Sequence, residues 1–585
     1  MSLRVASSIA TSALRTSEVG IAVASSNVAN AGTDGYTRKT ASNVTRDTGT
    51  TVSSVDVTSV SSNVDRYLLK TLVGAQSDLG YAETRSTYLD QMQSAFGSVS
   101  GDDSTGTDIG SMIDALADTL GTLATSPESG SAKAATVQDL SDLAETLRTT
   151  SSTIQSLRNQ ADDEIATTVD TINETLNGID DLNDRIVKGK ALGQNVTDLE
   201  DQRNTALKSL AENIDVTYQV DDSGLMRIST ASGKSLLDSS VHELSYTPAA
   251  SVSADTVYSS TGTSGFNGIM LNGVDVTGSS LGGSLGALVQ LRDTDLPAQQ
   301  AGLDELATSL IDTLNTIQNQ GTSYPAPQTL TGTETVSASD ALKVTSGTLR
   351  VAVTDSSGTA AEVLDIDLST MSTLQDVVDA INTMSSASAS ISADGKLVIS
   401  ADSTGNGIAL GGDANDGTTG SFSDAYGLND LLTGTGASDI DVASRISADS
   451  SLLATGALSS ASGLTAGDTA LTSGEGSIAS ALSTAFSTSR SFDAAGGLSA
   501  RSTTFAGYAG AVIQGAATLS DTAASTLESQ ETYTSSLETT FSSQSGVNVD
   551  EETAAISTLQ SAYEAAAAVM KALQEMFDTA LDMVQ

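Results

Sequence analysis

Ile165, Ile172, Ile179 and Ile186 recur every seven residues, with Val169 and Leu176 set between them. That spacing draws one apolar stripe along a helix, and it predicts a continuous helix of roughly 33 Å. Leu140, Leu147 and Ile154 repeat the spacing upstream, so the segment reads as a rod of long helices. Residues 2–30 are rich in Ala, Ser and Val without Pro and predict a helix with a ragged stripe. Residues 41–60 alternate Thr and Val only partly, a weak strand pattern. Helical patterning then returns from Val64 to about Phe96.

From Ile214 the period shortens towards two, and an Asp-Ser-Gly turn inside it predicts a hairpin. Residues 286–320 return to helix, with Leu303, Leu306, Leu310, Leu314 and Ile317 on one stripe. The string YPAP at 324–327 marks a linker, and residues 328–440 predict an inserted α+β unit of roughly ββαββ order. Residues 476–545 read as helical but poor in large apolar side chains.

The most regular pattern lies in 551–585. With Ile556 at position a, the a series is Ile556, Tyr563, Met570, Phe577 and Val584, and the d series is Leu559, Ala566, Leu573 and Ala580. Four apolar heptads imply a helix seam against another helix. One alternative is a helix packed inside its own domain. The other is pairing with residues 2–30, whose small side chains suit close approach. The predicted fold class is therefore mainly α, with terminal helices forming a coiled coil, a long-helix rod and inserted β and α+β domains. The expected division is 1–45 with 546–585 for assembly, 46–213 with 286–323 and 441–545 for the rod, 214–285 as a β-rich domain, and 324–440 as the inserted domain.

Composition narrows the function classes. Aromatic residues are 3% of the chain and Trp is absent, which favours thin helical packing over one broad enzyme core. The net charge of −46 comes from 72 acidic and 26 basic residues without a basic run, so nucleic acid and anionic membrane are not expected partners. Without Cys, disulfides and thiolate metal sites are excluded. No Sec-type signal and no apolar run of transmembrane length is visible, a pattern that by default reads as cytoplasmic.

Three stretches carry residue types found in chemical motifs. Gly282–Gly286, GGSLG, fits G-x-S-x-G, but the one His, His242, precedes Ser284, and the hydrolase order needs it after. The glycines are expected to open the helix at 286, and His242 to sit on a strand or the surface. GDANDGTTG at 412–420 departs from calcium-loop spacing: counted from Asp413, its Gly comes one residue early and Asp424 stands at position twelve. Asp550, Glu551 and Glu552 suit the N-terminal dipole of a helix. No catalytic, cofactor or metal residue is expected.

Between the predicted helix at 2–30 and the first extended stretch lies SSNVANAGTDGYTRK, residues 25–39. Its turn residues alone fit a helix C-cap with Gly32 or Gly35 in the left-handed region. The string also resembles the signature of flagellar axial proteins (rod, hook and hook-associated subunits) at Ser26, Asn27, Ala29, Asn30, Gly35 and Tyr36. Asp34 replaces a frequent Pro. SGVNVDEE and QSAYEA, which include Gly546, Asn548, Asp550 and Glu551, are similar to the closing signature of that family. DLEDQRNTALKSLAENIDV and the stretch from Gly282 to Asn315 resemble its hook-associated branch.

The resemblance implies a structural subunit of the ring between hook and filament, assembling through its two terminal helices. It implies export through the flagellar channel without a cleaved signal, a homo-oligomeric ring of about eleven copies, hook protein below, a second junction protein above, and an export chaperone on the last helix. The alternatives are another axial subunit, either the second junction protein or the hook protein, or a secreted acidic adhesin or enzyme with flagellin-like ends.

Overall fold

The computed structural model describes residues 3–47, 53–97, 108–260, 265–414 and 420–583. Helix α1 (Leu3–Ala29) leads into an antiparallel hairpin, β1 (Lys39–Asp47) and β2 (Ser53–Ser62). Four helices follow: α2 (Arg66–Ala95), α3 (Ile109–Thr125), α4 (Gly130–Ala191) and α5 (Thr197–Asn213). Helix α4 runs for 62 residues, or about 93 Å. Its isoleucine heptad is fully buried, as the stripe requires. Ser129 caps α4 by accepting from the Ala132 N–H at 3.3 Å, and Lys188 and Lys190 meet the partial negative charge of its last turn.

A three-stranded sheet in the order β3 (Val216–Val220), β4 (Met226–Thr230), β5 (Ser235–Leu237) buries Met226 and Ile228 against the helices. A second small sheet follows: β6 (Leu244–Ser245), β7 (Met270–Leu271) and β8 (Val274–Asp275). It is stapled to the rod by buried Arg292, which pairs with Asp162 at 3.1 Å while the Tyr246 hydroxyl donates to the same carboxylate. Helix α6 (Gly283–Gln290) passes through a π-helical turn into α7 (Leu296–Gln318). It starts three residues earlier than the pattern suggested. Gly282 and Gly283 lie at φ +58° and +56°, and a Cβ on Gly283 would strike the backbone at Asn213 and Ile214. Close approach explains these glycines.

The inserted segment contains β9 (Thr329–Thr331), β10 (Thr348–Thr354), β11 (Ala360–Asp367), α8 (Leu374–Ile381), β12 (Ala387–Ile391), β13 (Leu397–Ala401), β14 (Gly407–Gly412) and α9 (Phe422–Tyr426). Two sheets, β11-β10-β14 and β12-β13-β9, enclose an apolar cluster drawn from residues 330–428. The layout is richer than ββαββ. Short β9 and glycine-rich β14 carry too little alternation to be read as strands, and Ala341–Thr345 is not a regular strand.

Where the chain leaves α7 and returns near 430, three side-chain amides bind the two segments. Asn315 Oδ1 accepts from the Leu431 and Leu432 N–H groups at 2.8 Å each. Asn319 donates to Asp430 at 2.7 Å, and Asn429 donates to the Gln318 carbonyl at 3.0 Å.

The remaining elements are β15 (Leu432–Thr433), β16 (Asp441–Val442), α10 (Ser444–Ala448), α11 (Ser477–Ser487), β17 (Arg490–Phe492), β18 (Arg501–Thr503), α12 (Phe505–Ser545) and α13 (Val549–Asp582). The stretch expected to be helical over 476–545 is broken by the β17–β18 hairpin. Phe492 of that hairpin stacks on Tyr508 with ring centroids 4.1 Å apart. No helix among the described residues is long and apolar enough to cross a membrane.

Candidate assembly interface

Helix α13 lies along α1, so the heptad does find the small-residue helix as its neighbour. Asn548 caps α13, its Oδ1 accepting from the Asp550 and Glu551 N–H groups at 3.0 and 3.3 Å. Close approach is built into α1: a Cβ on Gly20 would sit 2.9 Å from Leu559 Cδ1. Nearby, Ser7 and Thr11 hydroxyls lie 3.9 Å from the Met570 sulfur. A cavity of about 440 Å³ opens between Leu3, Arg4 and Ser7 on one side and Met570, Leu573 and Phe577 on the other.

The seam is only partly covered. Ala566 is buried, and Ile556, Leu559, Met570 and Leu573 are half-buried. Tyr563 and Phe577, both at a positions, remain 41% and 52% exposed, and Val569, Met576, Leu581 and Met583 are exposed beside them. Ala580 is exposed too. Val584 lies outside the described residues.

The opening motif forms a polar joint at the base of this pair. Asn27 is fully buried and makes four hydrogen bonds. Its Nδ2 donates to the Lys39 carbonyl at 2.9 Å and to Glu552 Oε2 at 3.0 Å. Its Oδ1 accepts from the Tyr36 hydroxyl and the Lys39 N–H, each at 3.0 Å. A side-chain amide has two N–H donors and two acceptor lone pairs, so every one is used. Gly35 stands at φ +74°, where a Cβ would run into Thr205 Oγ1; it sets the turn that aims Tyr36 back at Asn27. Burial raises the Tyr36 pKa, which keeps its hydroxyl a donor. Asn30 makes only a local bond to the Ser26 carbonyl at 2.9 Å.

The closing signature singles out Gly546, Asn548, Asp550 and Glu551, whereas the residue that closes the joint, Glu552, is assigned by the sequence only to the helix dipole. Glu552 is 3% exposed and accepts from Arg38 Nε at 2.7 Å as well as from Asn27. Glu551 is mostly exposed and reaches Arg38 at 3.4 Å; Asp550 is exposed in the first turn. A signal was present: Glu552 occupies a d position one heptad before Leu559, a charge on the seam. Gly546 belongs to the helix break, its N–H donating to the Ser542 carbonyl at 2.9 Å.

Thr37 and Lys39 extend the joint into the rod. Thr37 N–H donates to Asp201 Oδ2 at 2.9 Å, and Lys39 Nζ pairs with the same carboxylate. The Arg38 N–H donates to the Ser545 carbonyl at 2.8 Å. The motif thus ties α1, α5, the end of α12 and the start of α13 together. Among the described residues no group of three or more His, Asp or Glu side chains is placed to hold a metal ion. Asp424, position twelve of the calcium-like string, accepts from Thr316 at 3.1 Å; residues 415–419 of that string lie outside the described residues. His242 is half-buried, with Nε2 3.0 Å from Asp238.

The sequence matches two protein families. Residues 89–332 match the family described as flagellar hook-associated protein FlgK helical domain. Residues 538–583, which hold the end of α12 and all of α13, match the family described as flagellar basal body rod FlgEFG protein C-terminal. The chain is 26% identical over 325 residues to Flagellar hook-associated protein 1 of Escherichia coli (strain K12), covering 53% of this chain and 56% of that one. It is 24% identical over 233 residues to the protein of the same name from Bacillus subtilis (strain 168), covering 38% and 45% respectively. The chain spans about half the length of the curated relatives it matches. The solved FlgK hook junction protein from Burkholderia pseudomallei aligns over 80% of this chain and 99% of its own, at 16% identity and a TM-score of 0.47. The likeness to hook-associated axial proteins read from the motifs is borne out. The stretch matched to the FlgK helical domain takes in α3 to α7 and the two small sheets between α5 and α6.

Proposed function

We propose that the chain is a structural, non-enzymatic subunit of the bacterial flagellum, forming the junction ring between hook and filament. Residues 1–45 with 546–585 serve as the assembly region, and the helical rod and outer β-containing segments stand outside it. The observation that carries the reading is the one-sided seam: α13 pairs with α1 yet leaves Tyr563, Met576, Phe577 and Leu581 in solvent. An apolar strip of that length is a surface awaiting a partner, and in a ring the partner is the next copy. Hook protein lies below the ring and the second junction protein above it. Export proceeds through the flagellar channel, with a chaperone covering α13 beforehand.

The test is genetic and structural. Deleting the gene leaves hooks without filaments, and the labelled protein sits at the hook tip. Tyr563→Asp and Met570→Asp block its incorporation while the rod keeps its native circular dichroism. An intact junction in either variant overturns the assembly role. Because the match at 538–583 is to a family named for rod proteins, a second axial position is the other reading, and label found along the whole hook or rod would favour it.

A further inference from the structure

Helices α12 and α13 are strongly acidic. They contain Lys571 as their one basic residue, against Asp521, Glu528, Glu531 and Glu538 on α12 and seven further acids on α13. Helices α1 and α2 are mixed, with Arg4, Arg15, Arg66, Lys70 and Arg85 beside Glu18, Asp78, Glu83 and Asp90. At the start of α2, Tyr67 is 87% exposed, the largest exposure of any large apolar side chain among the described residues. Arg66 and Lys70 are exposed on either side of it and pair with no described carboxylate, whereas Arg85 is taken by Asp295 at 2.7 Å.

Helix α12 presents the complement. Its apolar side, through Ala516, Ala523 and Thr534, faces α2 and the rod. Asp521, Ala524, Glu528 and Glu531 follow one another at intervals of three and four residues and are all exposed, so they form one outward row. Glu528 and Glu531 are three residues apart and Arg66 and Lys70 four, so each pair sits on one face of its helix. Ala524 is the one small apolar residue in the row.

We propose that the Arg66–Tyr67–Lys70 pad of one copy docks on the Asp521–Ala524–Glu528–Glu531 row of the next copy. The proposal rests on the reading of the chain as a polymerising subunit and names a contact of that polymer. The two patches are different surfaces of one molecule, so the contact is head-to-tail, the arrangement that generates a ring or a helical array. Opposite charge supplies orientation and encounter rate, which a chain of net charge −46 needs against its own repulsion. Tyr67 supplies the apolar anchor, since Tyr and Arg are among the residues enriched at the energetic centres of such contacts.

The test is charge reversal in the full-length chain, with assembly followed by light scattering and electron microscopy. Arg66→Glu/Lys70→Glu and Glu528→Lys/Glu531→Lys are each expected to slow assembly at least tenfold, with circular dichroism unchanged because all four side chains are exposed. Combining the four substitutions in one chain restores assembly to within about threefold of the unmodified protein, and Tyr67→Ala weakens it without rescue. If the unmodified chain polymerises and either reversal alone assembles at its rate, the docking contact is wrong and the subunit reading stands. The contact is also wrong if the fourfold variant gains nothing over the reversals. If the unmodified chain forms no ordered polymer at any concentration, the subunit reading fails and takes this contact with it.

Discussion

Replacing Glu552 by Ala tests the joint most directly. The carboxylate is buried and receives two N–H donors, from Arg38 at 2.7 Å and from Asn27 at 3.0 Å. Deleting one member of a fully sequestered ion pair costs about 3–5 kcal/mol. Here the Arg38 side chain stays 32% exposed, so water takes over part of its solvation, and Asn27 Nδ2 keeps its bond to the Lys39 carbonyl. The remaining loss is about 2 kcal/mol, which raises the population of the undocked α1–α13 pair roughly thirtyfold. Hydrogen exchange reads this locally: amides over 20–39 and 549–560 lose that factor of protection while those of α4 keep theirs. Glu552→Gln, which keeps the shape but gives up the charge, falls between. A change below threefold, or an equal loss along α4, would refute the reasoning.

Two further substitutions probe separate links. Gly20→Val drives a side chain into Leu559, 2.9 Å from the position of its Cβ, and is expected to weaken α1–α13 docking by about 1–3 kcal/mol, read by the same exchange experiment; Gly20→Ala gives a smaller effect of the same sign. At the Asn319–Asp430 joint, burial raises the Asp430 pKa against the opposing pull of Thr333, Asn319 and Arg445, with Glu334 adding to the rise, and burial likewise raises Asp424. A folded-state pKa above the unfolded 3.8 means that the contribution of the group is full below the unfolded pKa and is lost as pH rises through the raised value. The melting temperature of the inserted segment, relative to Asp430→Asn, therefore falls as pH rises from about 4 towards neutrality. An unchanged difference between the two proteins across that range would contradict it.

Much of the scaffold was legible because long helices broadcast their period. The isoleucine heptad of α4, the leucine stripe of α7 and the a/d series of α13 each repeat often enough to outweigh local noise, and all three are helices in the structure. The short strands were not legible. β9 and β14 are defined by their sheet neighbours, and neither Thr-Leu-Thr nor a glycine-rich stretch carries the alternation that marks a half-buried strand. The β17–β18 hairpin was read as helix because the Ala- and Ser-rich sequence around it has fair helix propensity. Phe492 packing on Tyr508 overrides that propensity. At the joint, Asn27, Gly35 and Tyr36 stood out as turn and polar residues inside a small-residue run. Glu552 did not, because three consecutive acids at a helix start have a sufficient local explanation in the dipole. Burial separates it from its neighbours, and burial is a property of the fold.

The position of a buried charge cluster at the foot of two plain helices has a physical rationale beyond stability. Helix α1 offers Ala, Ser and Gly to the seam, and every second d position of α13 is Ala, so sliding one helix along the other by a turn changes little apolar contact. A buried ion pair contributes little net stability over apolar packing, but it fixes register, since a shifted helix leaves an unpaired charge inside. Asn27 with all four hydrogen bonds filled, facing Glu552 and Arg38, has one satisfied alignment. The triple variant Asn27→Leu/Arg38→Met/Glu552→Leu should therefore keep α1 and α13 associated while admitting more than one register. Disulfide trapping reads this: a Cys at position 20 paired with a Cys at 559 forms one cross-link in the unmodified background. In the triple variant, Cys at 20 also cross-links to Cys placed one turn away on α13. Single-register trapping in the triple variant would mean that the small-residue seam alone sets the alignment.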